Sequence, residues 1–359
     1  MPLIQTKPLP SFERLKAEGQ PIIDLKRAES QDIRPIHIGI LNLMPDAALE
    51  ATERQFLRLI GNSSLVAQIN SHIFTLPFIR RGKDAQKHID MYYESFDDVK
   101  KHGLDALIVT GANEETNPRL DDTEFWAPLY DALEWSQHHV SSTLCSCLSG
   151  HAAVSHLFGE LPSFQDKKFW GIFDHHLTDP QHPLCNAMNT LFHAPHSRYS
   201  LLKRDQFERA GMHVLAENEK GGVHIAVSAD GINLVCLQGH PEYDTFSILK
   251  EYKREILSFV NGERDDYPPV PENYFRPQAH AIALEYQDKV LYAVSNNDDI
   301  PEFPEKLLEE RLLNTWRDSA KSFMNNWIGL VYQTTHFDIS KQYMDDIDPD
   351  DPLDLKRGR

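Results

Sequence analysis

Positive charge is what this 359-residue chain has too little of. Its 36 Lys and Arg stand against 54 Asp and Glu, a formal net charge of −18. That balance argues against nucleic acid or an anionic membrane surface as partner, because both are held by basic patches. Long apolar runs are also missing, and none approaches the roughly 20 residues that span a bilayer. The first residues, Met1-Pro2-Leu3-Ile4-Gln5, show no basic stretch leading into an apolar one, so no secretory leader is expected. Cysteine is scarce: Cys145, Cys147, Cys185 and Cys236. So few in a long chain do not make a disulfide framework, and a reducing, cytoplasmic compartment is the expectation. Cys145 and Cys147 have no second ligand pair at zinc spacing, so no metal is expected.

What is present alternates between strand and helix patterns. Ile36-His37-Ile38-Gly39-Ile40-Leu41 reads as a buried strand, with a helix from Leu49 to Ile60 after it. Residues 66–76 and 104–110 give further strands, and residues 123–138 a helix. Residues 224–229 and 233–238 are strands joined by the turn signal Asp230-Gly231, and a helix from Asp244 to Val260 follows. This pattern predicts an α/β, three-layer domain with a mostly parallel sheet. Residues 1–33 read as an N-terminal arm, 34–262 as the catalytic domain, and 263–359 as a C-terminal extension packed on the core. That extension carries a helix near 305–327. Its acidic tail, 345–354, reads as a solvated, mobile end.

The chemistry concentrates in two segments. Gln238-Gly239-His240-Pro241-Glu242 follows an apolar strand and places a carboxylate two residues after a histidine, as a base and its orienting group require. Ser142-Thr143-Leu144-Cys145-Ser146-Cys147 reads as a strand ending in a sharp turn before a helix. Cys145 and Ser149 are the small neighbours such an elbow needs. A cysteine there gains a helix N-terminus and a base, and the Leu148 N–H points where an oxyanion forms. Cys147, His240 and Glu242 therefore suggest acyl transfer through a thioester.

These segments, with Ile40-Leu41-Asn42-Leu43-Met44-Pro45, Ala194-Pro195-His196-Ser197-Arg198-Tyr199 and Gly239-His240-Pro241-Glu242-Tyr243-Asp244, resemble the homoserine O-acyltransferase family, also called homoserine transsuccinylases. The resemblance runs from about Arg34 to Asp338. It implies a class I glutamine amidotransferase-like (flavodoxin-like) fold with N- and C-terminal extensions. It also implies ping-pong transfer from an acyl-CoA to L-homoserine in methionine biosynthesis, with no cofactor beyond the acyl-CoA co-substrate, in a homodimer. By position, Cys147 matches the family's nucleophile, His240 its base and Glu242 the base's partner. Lys168 matches a lysine near the acyl site, Ser197 and Arg198 match substrate-pocket residues, and Glu251 with Arg254 match the homoserine-binding end. The oxyanion is expected between the amides of Leu148 and Leu43.

Two departures stand out. Where most members have Trp just after the nucleophile and Gln at +4, this chain has Leu148 and His151. In the family, a Glu shortly after the Gly-Ala pair favours acetyl-CoA and a Gly favours succinyl-CoA. Counting from Gly111 puts Glu115 there, and counting back from Trp126 puts Thr116 there. Neither is Gly, so the expectation leans to acetyl-CoA, because a glutamate would repel a succinyl carboxylate. Serine as acceptor, succinyl-CoA as donor, and a glutamine amidotransferase-like hydrolase are the alternatives.

Overall fold

A computed structural model describes residues 2–63, 66–112, 120 and 122–356. Among them, eleven strands form one sheet: β1 (Leu3–Gln5), β2 (Ile22–Asp24), β3 (Ile36–Leu41), β4 (Ile69–Phe74), β5 (Ala106–Val109), β6 (Ser142–Ser146), β7 (Ser163–Leu177), β8 (Leu191–Leu201), β9 (His213–Asn218), β10 (Gly222–Val227) and β11 (Leu234–Leu237). Their order is β2-β1-β4-β3-β5-β6-β11-β10-β9-β7-β8. Pairing is parallel from β2 through β11. It turns antiparallel from β11 to the β8 edge.

Period-two alternation explains the layers. Ile36, Ile38, Ile40, Ile108, Leu144 and Val235 point to one face, where Phe56 and Ile60 of the helix Asp46–Gly61 cover them. Leu41, Leu107, Val109, Cys145, Leu234 and Cys236 point to the other face, under Trp126, Leu133, Ala152 and Val154. These last come from the helices Thr123–His139 and Leu148–Phe158. The result is the three-layer α/β arrangement the alternating pattern predicts. No helix of the described residues is long and apolar enough to cross a membrane.

Both ends are built into this frame. Residues 1–33 do more than form an arm, because β1 pairs with β2 and β4 and so extends the sheet. Leu9, Phe12 and Leu15 enter the first core. The helix expected near 305–327 is two helices, Glu305–Glu309 and Arg317–Thr334. Asn314 separates them: its Oδ1 accepts from the N–H groups of Trp316 (3.3 Å) and Arg317 (2.9 Å), starting a new helix. A third helix, Pro277–Asn296, packs with Ser247–Val260 against Trp170 and Ile172 of β7.

The acidic tail is not a free end. Asp351 is buried and accepts from Leu355 N–H at 2.9 Å and Lys356 N–H at 3.0 Å. Leu353 and Leu355 close over the turn at Gly231. Leu353 and Leu355, at the end of the acidic run, help hold it there, a signal that its charge obscured.

Candidate active site

The carboxyl ends of parallel strands are where α/β sheets place their sites. Here Cys147 ends β6, Gly111 lies just past β5, and His240 follows β11. Cys147 has φ 53° and ψ −117°, a left-handed conformation that costs a non-glycine residue on the order of 1–3 kcal/mol. Neighbours hold it there. Its N–H donates to Leu237 O at 2.6 Å, and its carbonyl accepts from Gly150 and His151 N–H at 3.0 and 3.2 Å. Ser149 Oγ ties the turn to Val109 O at 2.9 Å. Leu148 is the first residue of the following helix, so its N–H has no acceptor within that helix.

His240 faces Glu242 through Nδ1, 2.8 Å from Oε1. That bond puts the Nδ1 proton toward the carboxylate and leaves Nε2 for the sulfur. Burial disfavours the charged imidazole, but the Glu242 carboxylate and then the Cys147 sulfur outweigh it and hold His240 well above its usual range. The other oxygen of Glu242, Oε2, is buried without a hydrogen-bond partner. Tyr243 stacks on the His240 ring, centroids 4.3 Å apart. A Cβ at Gly111 would stand 3.5 Å from Cys147 Cβ and 3.9 Å from His240 Cε1, so this loop borders both groups. Cys147, far away in sequence, thus meets the His240–Glu242 pair.

A second cluster adjoins the first. Glu251 accepts from Ser197 Oγ (2.7 Å), Trp170 Nε1 (3.0 Å) and Tyr243 OH (2.6 Å). Lys168 lies 3.8 Å from Glu251 and 3.2 Å from Glu255, with its ammonium over the Trp170 ring. Burial works to raise the Glu251 carboxyl, but Lys168 and the Tyr243 and Ser197 hydroxyls outweigh it and lower it below its ordinary value. Tyr243 belongs to both clusters, stacking on His240 and bonding Glu251. Sequence reasoning passed over Tyr243 and Trp170, although Tyr243 directly follows Glu242.

Other expected residues fall elsewhere. Arg254 is exposed on the helix that carries Glu251, and among the described residues no ion pair ties it to the cluster. Arg198 was expected in the substrate pocket, but it is only 2% exposed and spent inside the sheet. It donates to Ser200 O (3.0 Å) and Gly221 O (2.6 Å), with its guanidinium over Phe169. Leu43 was expected to serve the oxyanion, but its N–H already donates to Thr110 Oγ1 at 2.9 Å. Gly111 is the loop residue shown beside Cys147. His151 lies in the core: it is fully buried and bonds Gln238 Oε1 at 2.8 Å. Glu115 and Thr116 lie outside the described residues. Among the described residues, no group of three or more His, Cys, Asp and Glu is arranged to hold a metal ion.

Comparison with known proteins gives a consistent result. A family model described as homoserine O-succinyltransferase matches residues 2–337. A protein of Nitrosococcus oceani named homoserine O-succinyltransferase is 51% identical over 99% of this chain and 99% of its own length. One of Thiothrix nivea with that name is 51% identical over the same shares. One of Allochromatium vinosum is 50% identical over 100% of both. These names carry succinyl, so the acetyl-CoA expectation is set aside, and its ground, Glu115, lies outside the described residues. The match is to an acyltransferase family along nearly the whole chain, which also sets aside the amidotransferase alternative.

Proposed function

The chain belongs to the homoserine O-succinyltransferase family, and on that premise we propose that it moves a succinyl group from succinyl-CoA to the hydroxyl of L-homoserine. The product feeds methionine biosynthesis. The observation that carries this reading is the left-handed turn at Cys147, which brings a cysteine against a histidine already paired with a carboxylate.

Cys147 attacks the thioester carbonyl while His240 Nε2 holds the thiol proton. The tetrahedral oxyanion sits at the Leu148 N–H, with the Gly111-Ala112 loop beside it. Collapse expels CoA, which leaves with the proton from His240. One thioester has replaced another, so little free energy is spent. The homoserine hydroxyl then attacks the acyl-cysteine as His240 takes its proton; the acyl–sulfur bond breaks, the ester product leaves, and Cys147 recovers the proton from His240. Glu242 stabilises the imidazolium and fixes the tautomer throughout. Glu251, an ionised carboxylate ringed by donors, suits the ammonium of the acceptor. Lys168 and Ser197 hold Glu251 in place. The reaction needs no cofactor beyond the co-substrate.

The test is intact mass of the enzyme with donor alone, together with CoA release measured by thiol titration. A succinyl adduct on Cys147, absent from Cys147→Ala, and turnover that requires homoserine are the expected results. Turnover of acetyl-CoA in preference to succinyl-CoA would overturn the donor assignment. Turnover with serine in preference to homoserine would overturn the acceptor. Turnover by Cys147→Ala would overturn the mechanism.

A further inference from the structure

The Gly239-His240 turn hangs from neighbouring strands by two main-chain amides. His240 N–H donates to Pro195 O at 2.8 Å. Gly239 N–H donates to a side chain, Nδ1 of His224, at 3.1 Å. A regular strand would not aim a side chain at that amide, and β10 is not regular at this point. Val223 pairs with Glu217 and Ile225 with Ala216, so His224 is the extra residue of a β-bulge. Bulges re-aim side chains and gather beside active sites. The His224 carbonyl still accepts from Gln238 N–H at 2.9 Å. A single residue therefore takes two successive amides of the chain leading to His240. No slack remains beside it: a Cβ at Gly239 would stand 2.8 Å from both His196 Nε2 and Pro195 O.

Accepting this amide requires Nδ1 of His224 without a proton, so the proton sits on Nε2. The surroundings enforce that state. Ring centroids of His175, His196 and Phe192 lie 4.9, 5.5 and 6.0 Å from the His224 ring. His196 and His175 bond to each other at 3.1 Å, Nε2 to Nε2. His175 Nδ1 faces Phe173 O at 3.0 Å, and Arg198 Nε faces His196 Nδ1 at 3.4 Å. The ionisable groups that act on His224 are His175, His240 and Arg198, with no carboxylate among them. Burial first, then these like charges, hold His224 well below its usual range.

We propose that His224 is a positioning residue: its Nδ1, re-aimed by the bulge, fixes the Gly239 amide and so aims His240 at Cys147. This rests on the reading of His240 as the base.

The test uses two substitutions in the full chain. Asn at 224 offers Oδ1 near the place of Nδ1, and Leu offers similar bulk without an acceptor. Leu is expected to lower kcat about tenfold with little change in KM, and to displace the pH profile of acyl-enzyme formation. Asn is expected to keep most of the rate and the wild-type profile. Equal loss in both variants, or a Leu variant with wild-type rate and profile, would overturn the proposal. Should His224→Leu fail to fold, nitrogen NMR of histidine-labelled wild type decides: an unprotonated Nδ1 on His224 supports the proposal, and a proton there overturns it. Absence of any acyl-enzyme in wild type would instead sink the acyltransferase reading and leave the tautomer result standing, so the two failures are distinguishable.

Discussion

Two kinds of buried histidine surround the Gly239-His240 turn. His151, His175, His196 and His224 are 0, 1, 0 and 2% exposed, and His240 is 7%. Burial therefore hardly separates them, yet their titration runs in opposite directions. Desolvation lowers His151 and His175 to about 4. His196 and His224 are also pushed down, burial leading and neighbouring cations adding. His240 alone of the five is raised, and it alone has a carboxylate at 2.8 Å. The lesson is that in this interior the carboxylate makes a base of an imidazole, and an imidazole without one becomes a neutral connector.

The largest break in this comparison comes from taking the carboxylate away. Glu242→Gln should move His240 toward the neutral group and reduce kcat by about 10³- to 10⁴-fold, as loss of the orienting acid does in triads. Rapid-quench measurement of acyl-enzyme formation across pH checks it. A variant within tenfold of wild type would mean that the carboxylate does not set the base.

Acid should break the neutral group next. An unfolded histidine takes up its proton below about pH 6.5, whereas folded His151 and His175 resist until about 4. In that window these two sites bind more protons in the unfolded chain, so their contribution to stability is complete above about 6.5 and falls as pH drops toward 4. Each of the two contributes a loss on the order of 3 kcal/mol at the acid end. Urea midpoints that stay constant from pH 7.5 to 4.5 would contradict this.

The smallest effect sharpens the division. His151→Gln keeps a donor toward Gln238 and removes one titrating group. Activity at neutral pH should stay within about threefold, and the acid loss should shrink by one histidine's share. A collapse of kcat would make His151 part of the chemistry and erase the line between the two groups.

The elbow and His-Pro-Glu were legible in the sequence because each is a short local pattern with a single conformational meaning. The parallel strands were legible for the same reason, as apolar runs closed by turn residues. Arg198 was not, because its role depends on Gly221 O, whose place beside it follows only from pairing β7 with β8 and β9. His224 was not, because a bulge has no sequence signal of its own. Leu43 misled because its amide is free in the pattern and taken in the structure by Thr110. The strands at 3–5 and 22–24 are three residues each, too short for periodicity to show.

Trp327 completes the core beneath β6, the strand that leads to Cys147. Its indole N–H donates to Ser142 Oγ at 2.7 Å across 185 positions of sequence. Arg34 adds a second long closure, holding Asp105 at 2.9 Å while donating to Tyr332 O and His336 O. Chains emerge from the ribosome N-terminus first, and contacts this distant close late. The strand that leads to Cys147 is thus closed by a helix synthesised well after it. A growing chain carries Cys147, His240 and Glu242 before the helix Arg317–Thr334 exists to close the core beneath the strand that ends at Cys147.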